Sequence, residues 1–349
     1  MTRSMDSCSA NAKVPSTAAE WARVLSRFRT PANGRGAIEL LVTLVPFVAT
    51  WVLTWLAWSR HIYWATVPLS IVASGFLVRL FLIQHDCGHA GFFASRQAND
   101  WLGRMLGILT LTPYAYWRKT HAIHHATHGN LDRRGVGDVD TLTVAEYLAR
   151  PRWARLRYRL YRHPVVMFGI GPAYVFIVSN RLPAGFMRSG WRPWVSTMGT
   201  NLAVVLTAFL LGRAIGFDTL LAVHAPILLT AAMAGVWLFY VQHQFEHSHW
   251  RREDAWKGRD AALLGSSHYA MPGILRWFTA NIGVHHVHHL SSGVPFYRLP
   301  DVLGAWPALA ATNRITLRES FHCAALTLWD EDSQRLVRFA DLRGHRSQS

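Results

Sequence analysis

Three short runs of histidine constrain this chain more than any other feature: HDCGH over residues 85–89, HAIHHATH over 121–128 and HHVHH over 285–289. On a helix, residues three and four apart share a face, so His85 and His89 can aim their imidazoles at one point. The same spacing holds for His121, His124 and His125, and for His285, His288 and His289. A lone histidine is ordinarily a hydrogen-bonded core or surface group, but three clusters at helical spacing read as a shared metal centre. Four ligands complete an ordinary zinc site, so eight imidazoles imply two ions close together. Imidazole suits zinc, copper, iron or nickel, and spacing alone leaves the element open.

The rest of the chain is unusually apolar. Of its 349 residues 51% are hydrophobic, only 16% are charged, and Trp occurs 16 times, a composition expected where the solvent is partly lipid. The net charge of +16 would suit nucleic acid, yet the basic residues flank apolar runs and form no separate basic domain, so no nucleic-acid partner is expected. Anionic lipid headgroups account for them better. Cys8, Cys87 and Cys323 show no paired spacing, which argues against a disulfide framework; Cys87 reads as a small buried thiol.

Four apolar runs, residues 37–58, 62–84, 194–212 and 219–241, are long enough to cross a bilayer; the first would extend roughly 33 Å as a helix. Arg79 lies inside the second run and is expected to reach toward the headgroups. Pro46, Pro68 and Pro226 are tolerable within spans because neighbouring helices satisfy the freed carbonyls. Two shorter stretches, 102–117 and 165–178, are expected at the interface or against protein. Residues 1–36 read as a cytosolic tail without a signal-peptide core, holding one short amphipathic helix over 17–28. Residues 300–349 read as a second cytosolic tail of soluble helix and loop, leaving 37–299 as the membrane domain.

The fold class expected is therefore all-α: four transmembrane helices with a cytosolic helical cap holding a di-metal site. Charge agrees with four crossings. Six Lys and Arg precede the first run, 15 lie between the second and third, and 12 follow the fourth, which places both termini and all three histidine clusters in the cytoplasm. The second run leads directly into His85 and the fourth into His243, so both helices can serve as rigid supports for the site.

Two oxygen-activating irons held by nitrogen ligands would give an oxidant able to attack an unactivated C–H bond, and a site at the membrane surface favours a lipid substrate. A transporter would carry ionisable residues near the midplane of its spans; here Glu39, Arg79 and His224 lie toward span ends, and His224 reads as structural. A zinc hydrolase would need fewer ligands and a glutamate base of the HExxH type, which is absent.

The set HDCGH, HAIHH and HHVHH, with paired apolar runs between the second and third, resembles the three histidine boxes of the integral-membrane fatty acid desaturases. The longer stretches PYAYWRKTHAIHHATHGNLDRRGVGDVDTLTVAEYL, YRLYRHPVVMFGIGPAYVFIVSNRLP, FYVQHQFE and WFTANIGVHHVHHLSSGVPFYRL are similar to the acyl-lipid branch with the omega-6, Δ12-like enzymes. The resemblance spans about residues 38–299. It implies a non-haem di-iron centre that uses O2 and two electrons to place a cis double bond in a fatty acyl chain carried as acyl-lipid, acyl-CoA or acyl-carrier protein. A di-iron lipid or alkyl hydroxylase on the same scaffold is the alternative. A bacterial inner-membrane location follows from the same likeness.

The ligands it implies are His85, His89, His121, His124, His125, His285, His288 and His289, with His243 as a ninth outside the boxes. His247, where relatives often carry Asp, is either a neighbour or a competing ligand. His128, His249, His268 and His286 are expected at the surface or as outer partners, and Asp86, Asp138, Asp140 and Glu246 as groups that orient imidazole N–H bonds; pairing with Arg133 or Arg134 is the alternative for Asp138. Phe92, Phe93, Trp117 and Trp237 are candidates for the substrate tunnel. The chain has no cysteine cluster, no cytochrome b5 haem motif and no dinucleotide fingerprint, so an external ferredoxin or cytochrome b5-like donor is implied.

Overall fold

The computed structural model describes residues 14, 15 and 17–342, so Cys8 lies outside the described residues. Helix α1 (Ala18–Ser26) opens with a capping box: the Thr17 hydroxyl accepts from the Glu20 amide and the Glu20 carboxylate accepts from the Thr17 amide. Trp21 and Leu25, four apart, are buried with Phe28 in the main core. This amphipathic helix is thus packed against the body of the protein.

Helices α2 (Asn33–Ser59) and α3 (Tyr63–Gly88) follow, joined by a three-residue turn that makes them an antiparallel pair. Glu39 on α2 and Arg79 on α3 meet between them at 2.5 Å, and Arg79 also donates to the Thr43 hydroxyl and the Trp277 carbonyl while its guanidinium lies over the Trp277 ring. The expectation that Arg79 reaches the headgroups is therefore corrected. With only 2% of it exposed, its charge is met by Glu39, an acid that local sequence gives no reason to place opposite it.

Two cap helices come next, α4 (Arg96–Leu109), capped by Ser95, and α5 (Tyr114–Thr127), which starts after Pro113. Beyond a loop lie β1 (Leu142–Thr143), α6 (Val144–Ala149) and α7 (Arg152–Tyr161). The chain then bends by 55° into 166–181, where π-helical turns flank α8 (Gly171–Ala173). Val165, Ile170, Tyr174 and Val178 are exposed along it. Helices α9 (Arg192–Ile215) and α10 (Phe217–His243) form the second long pair, turning at Gly216, whose φ of 92° favours glycine.

The outer faces of these long helices are apolar and unpacked: Val45 and Leu53 on α2, and Leu202, Val205 and Leu210 on α9, are all at least half exposed. An apolar belt of this extent suits hydrocarbon and not water. Four helices are long and apolar enough to span, and the chain is a membrane protein. His224 is half-buried in this region and accepts from the Trp51 indole at 3.3 Å, a structural contact.

After α10 come α11 (Gly258–Leu264), β2 (His268–Ala270), α12 (Gly273–Phe278) and α13 (His285–Leu290), then α14 (Leu299–Ala305), α15 (Pro307–Ala311), β3 (Arg314–Thr316), α16 (Leu317–Cys323), β4 (Leu328–Asp330) and β5 (Arg335–Val337). The fold is helical, and its strands are brief. β4 lies between β1, parallel, and β5, antiparallel, while β2 pairs with β3 in parallel. Segments of two or three residues are too short for a periodic signal, so helix and loop alone were expected here. Trp329 on β4 is wholly buried, and the Leu336 amide donates to the Glu246 carbonyl, so the C-terminal part clamps the region just past α10.

Candidate metal centre

Four helices bring the histidines together. α3 ends with His85 inside it and His89 as its C-cap, a pair four residues apart on one face. α5 carries His121, His124 and His125, α10 ends on His243, and α13 carries His285, His288 and His289. The start of α5 is fixed to α3: the Tyr114 hydroxyl donates to the Cys87 carbonyl at 2.8 Å, and Arg118 pairs with Asp100 on α4 at 2.5 Å. At Gly88 a Cβ atom would meet the Trp117 ring, so only glycine allows α5 this close. Trp117 in turn stacks on His121, with ring centroids 4.7 Å apart.

All nine of the histidines singled out converge, and they divide into two sets. In the first, His121 Nε2 lies 2.9 Å from His85 Nε2 and 3.1 Å from the Nε2 atoms of His89 and His125, and His288 Nε2 lies 3.1 Å from His125 Nε2. In the second, His243 Nε2 lies 3.2 Å from His124 Nε2 and 3.0 Å from His285 Nε2, which is 3.1 Å from His289 Nε2. The sets adjoin, since the His125 and His289 rings stack at 4.1 Å. Each sequence cluster on α5 and α13 is split between them.

Hydrogen bonding does not explain these contacts. His121 Nε2 faces three other ring nitrogens at hydrogen-bond distance, and one proton can serve only one of them. A cation satisfies all the lone pairs at once. With metal–nitrogen bonds of about 2.1 Å, neighbouring ligand nitrogens lie about 3.4 Å apart on a tetrahedron and about 3.0 Å apart on an octahedral edge. The observed 2.9–3.2 Å brackets the second spacing, and the donor set, five imidazoles in one group and four in the other, fits two metal ions. Burial and mutual repulsion hold the pKa values of His121, His125, His285, His288 and His289 well below the ordinary imidazole value, keeping the rings neutral as metal binding requires.

The surrounding groups sort differently from the sequence expectations. Asp138 accepts from His124 Nδ1–H, which turns His124 Nε2 inward, while Arg133 and Arg134 pair with Glu253 and Glu146. Asp86 accepts from the Phe296 amide at 2.6 Å and lies 3.5 Å from His85 Nδ1. Asp140 is exposed, and Glu246 pairs with Arg335 at 3.3 Å, so neither orients an imidazole. His247 is exposed and does not compete with His243. His128 is buried, its ring 4.2 Å from that of His243, and its Nε2–H donates to the Gly265 carbonyl at 2.8 Å; burial lowers its pKa to about 4. His249 is half-buried and shows no ring contact with the two sets. His268 donates to the Ala310 carbonyl, and His286 points away from both sets into a buried site beside it, 5.8 Å between ring centroids.

An apolar cavity of about 350 Å³ opens onto both sets. Leu77 and Phe81 of α3, Trp117 of α5, Phe176 of the 166–181 segment and Ala231, Gly235 and Phe239 of α10 wall it, and it ends on His85, His121 and His285. Of the four aromatic residues expected in a tunnel, only Trp117 lines it. Phe92 and Phe93 pack on each other, with Phe92 also against Phe296, and Trp237 packs on Phe168 and Phe321. The small residues Ala231, Ala232 and Gly235 were missed; their spacing of three and four along α10 was the available signal.

Comparison with known proteins gives one answer. Residues 62–320 match the family model described as fatty acid desaturase. A protein named fatty acid desaturase from Bacillus subtilis (strain 168) is 44% identical over 91% of this chain and 90% of its own length. An sn-1 acyl-lipid omega-3 desaturase (ferredoxin) from Synechocystis is 30% identical over 68% of this chain and 66% of its own, and an acyl-lipid omega-3 desaturase (cytochrome b5) from Arabidopsis thaliana is 26% identical over 76% and 68%.

Proposed function

This chain belongs to the fatty acid desaturase family, and from that premise we propose that His85, His89, His121, His125 and His288 hold one iron and His124, His243 and His289 a second, joined by His285 through its contacts with His243 and His289, with both irons serving desaturation of an acyl chain in the cavity between α3 and α10. The protein is an oxidoreductase. The observation that carries the reading is a cavity with apolar walls that ends on His85, His121 and His285, members of both sets.

With O2, two electrons and two protons from outside, the bound irons would supply the oxidising power for loss of two hydrogens from adjacent methylenes, leaving a cis double bond and two waters. The protein's own share is positioning. Leu77, Phe81 and Phe176 exclude water and hold the chain, Ala231 and Gly235 leave it room, and Asp138 fixes the His124 tautomer so that its Nε2 faces inward. A volume of about 350 Å³ lies in the range of small-ligand pockets.

The electron donor is a separate one-electron carrier of the ferredoxin or cytochrome b5 kind, because the described cysteines, Cys87 and Cys323, are single, buried thiols that cannot hold an iron–sulfur cluster. The acyl substrate is membrane-borne, the protein is multi-pass, and the histidine end faces the cytoplasm, as the bias of Lys and Arg favours.

The test is expression in a host of known lipid content, followed by analysis of fatty-acid methyl esters. New double bonds are expected; hydroxy acids in their place would sink desaturation, and zinc without O2 consumption in the purified protein would sink the iron centre.

A further inference from the structure

Helix α7 has two apolar sides, and only one of them is used. Ala154 and Tyr158 face inward and are buried. Trp153, Leu156 and Leu160, spaced at three, four and seven, form a second stripe that is more than half exposed at every position. Arg152, Arg155, Arg157 and Arg159 flank that stripe on both sides, with Arg150 just before it. From Tyr147 to Phe217 the chain has no Asp or Glu. Glu146 pairs with Arg134, and none of the five arginines has a carboxylate within ion-pair reach among the described residues.

The depth of α7 is fixed by Arg162 at its C-terminal end. Its guanidinium donates to the Tyr240 hydroxyl at 2.9 Å and to Gln244 at 3.0 Å, at the end of the span that terminates in His243. Immediately beyond, the chain bends and runs along α10, with Phe168 against Trp237 and Tyr240. The helix thus sits level with the end of a span, and the segment that follows it likewise leaves apolar residues exposed, Ile170, Tyr174 and Val178 among them.

We propose that α7 lies in the bilayer surface with anionic lipid headgroups as its partner: Trp153, Leu156 and Leu160 enter the boundary between headgroups and acyl chains, and the arginines bind lipid phosphates. An outward apolar stripe edged by arginine is what an interfacial helix requires, and an acidic protein partner would leave the stripe in water. Seating α7 this way also fixes the segment that brings Phe176 to the cavity wall, so anionic lipid supports activity. The inference rests on the membrane placement proposed above.

The experiment uses full-length protein carrying Cys8→Ser with a nitroxide at Leu156→Cys, reconstituted in phosphatidylcholine alone or mixed with phosphatidylglycerol. In mixed vesicles the label should collide more with O2 than with a water-soluble nickel chelate. The Arg152→Gln/Arg155→Gln/Arg157→Gln/Arg159→Gln variant should co-purify at least about fivefold less phosphatidylglycerol, the effect of one arginine at full strength. A label that stays in water in both lipids overturns the proposal, as does unchanged phosphatidylglycerol in the arginine variant, or an arginine variant whose only loss is binding of an acidic carrier protein. A second label at Leu206→Cys on the exposed face of α9 separates the causes: if it too is aqueous, the membrane placement has failed, and if it is in hydrocarbon, the failure belongs to α7.

Discussion

His124 and His125 are neighbours in the chain, yet they serve opposite sets: His124 Nε2 lies 3.2 Å from His243 Nε2, and His125 Nε2 lies 3.1 Å from those of His121 and His288. One turn of α5 is therefore shared between two candidate ion sites, because successive helical residues point about 100° apart.

His124→Ala and His125→Ala should each abolish product while the protein stays in the membrane fraction, and each should lower bound iron from two toward one per chain. Methyl ester analysis and elemental analysis of the purified variants measure this. Full activity in either variant would remove that residue from the ligand set.

Asp138→Asn should lower activity or iron affinity by roughly 10–100-fold, the usual effect of losing a carboxylate that orients a metal-binding imidazole. The variant keeps the shape of the side chain, so a change in iron retention without loss of folded protein isolates the orienting role. Wild-type iron affinity would show that His124 needs no such partner.

Gly235→Leu should shift the products toward shorter acyl chains. A Cβ at Gly235 meets nothing within 4 Å and the position lines the cavity, so the added side chain occupies substrate space. Discrimination of roughly 10-fold or more against the longest substrate is expected from a change of this size in an apolar pocket. Gly199→Leu, also in open space but absent from the cavity wall, is the control. An unchanged product profile would place the acyl chain elsewhere.

Glu39→Gln should destabilise the protein by about 3–5 kcal/mol, because it strands the Arg79 guanidinium in the interior between α2 and α3. Replacing both, as Glu39→Gln with Arg79→Met, should recover much of that loss. Thermal unfolding in detergent measures both, with Arg79→Met alone completing the cycle; a double-variant loss equal to the sum of the two single losses would show that the pair is not coupled.

The local rules were legible in the chain. Helical spacing set which histidines share a face, apolar run length set the four long helices, and a capping motif set α1, because each depends only on residues within a turn or two of one another. The histidine set was legible too, since those positions stand out by type and spacing. What needed the tertiary structure were relations between segments. Arg79 found Glu39 forty residues away, Asp140 turned out to water and Glu246 to Arg335 while Asp138 turned in, and the cavity took Gly235 and Phe239 in place of Phe92, Phe93 and Trp237. Periodicity fixes the direction of a side chain about its own helix axis. Only the packing of α3, α5, α10 and α13 against one another decides which partner waits in that direction, and so divides nine imidazoles into two sets.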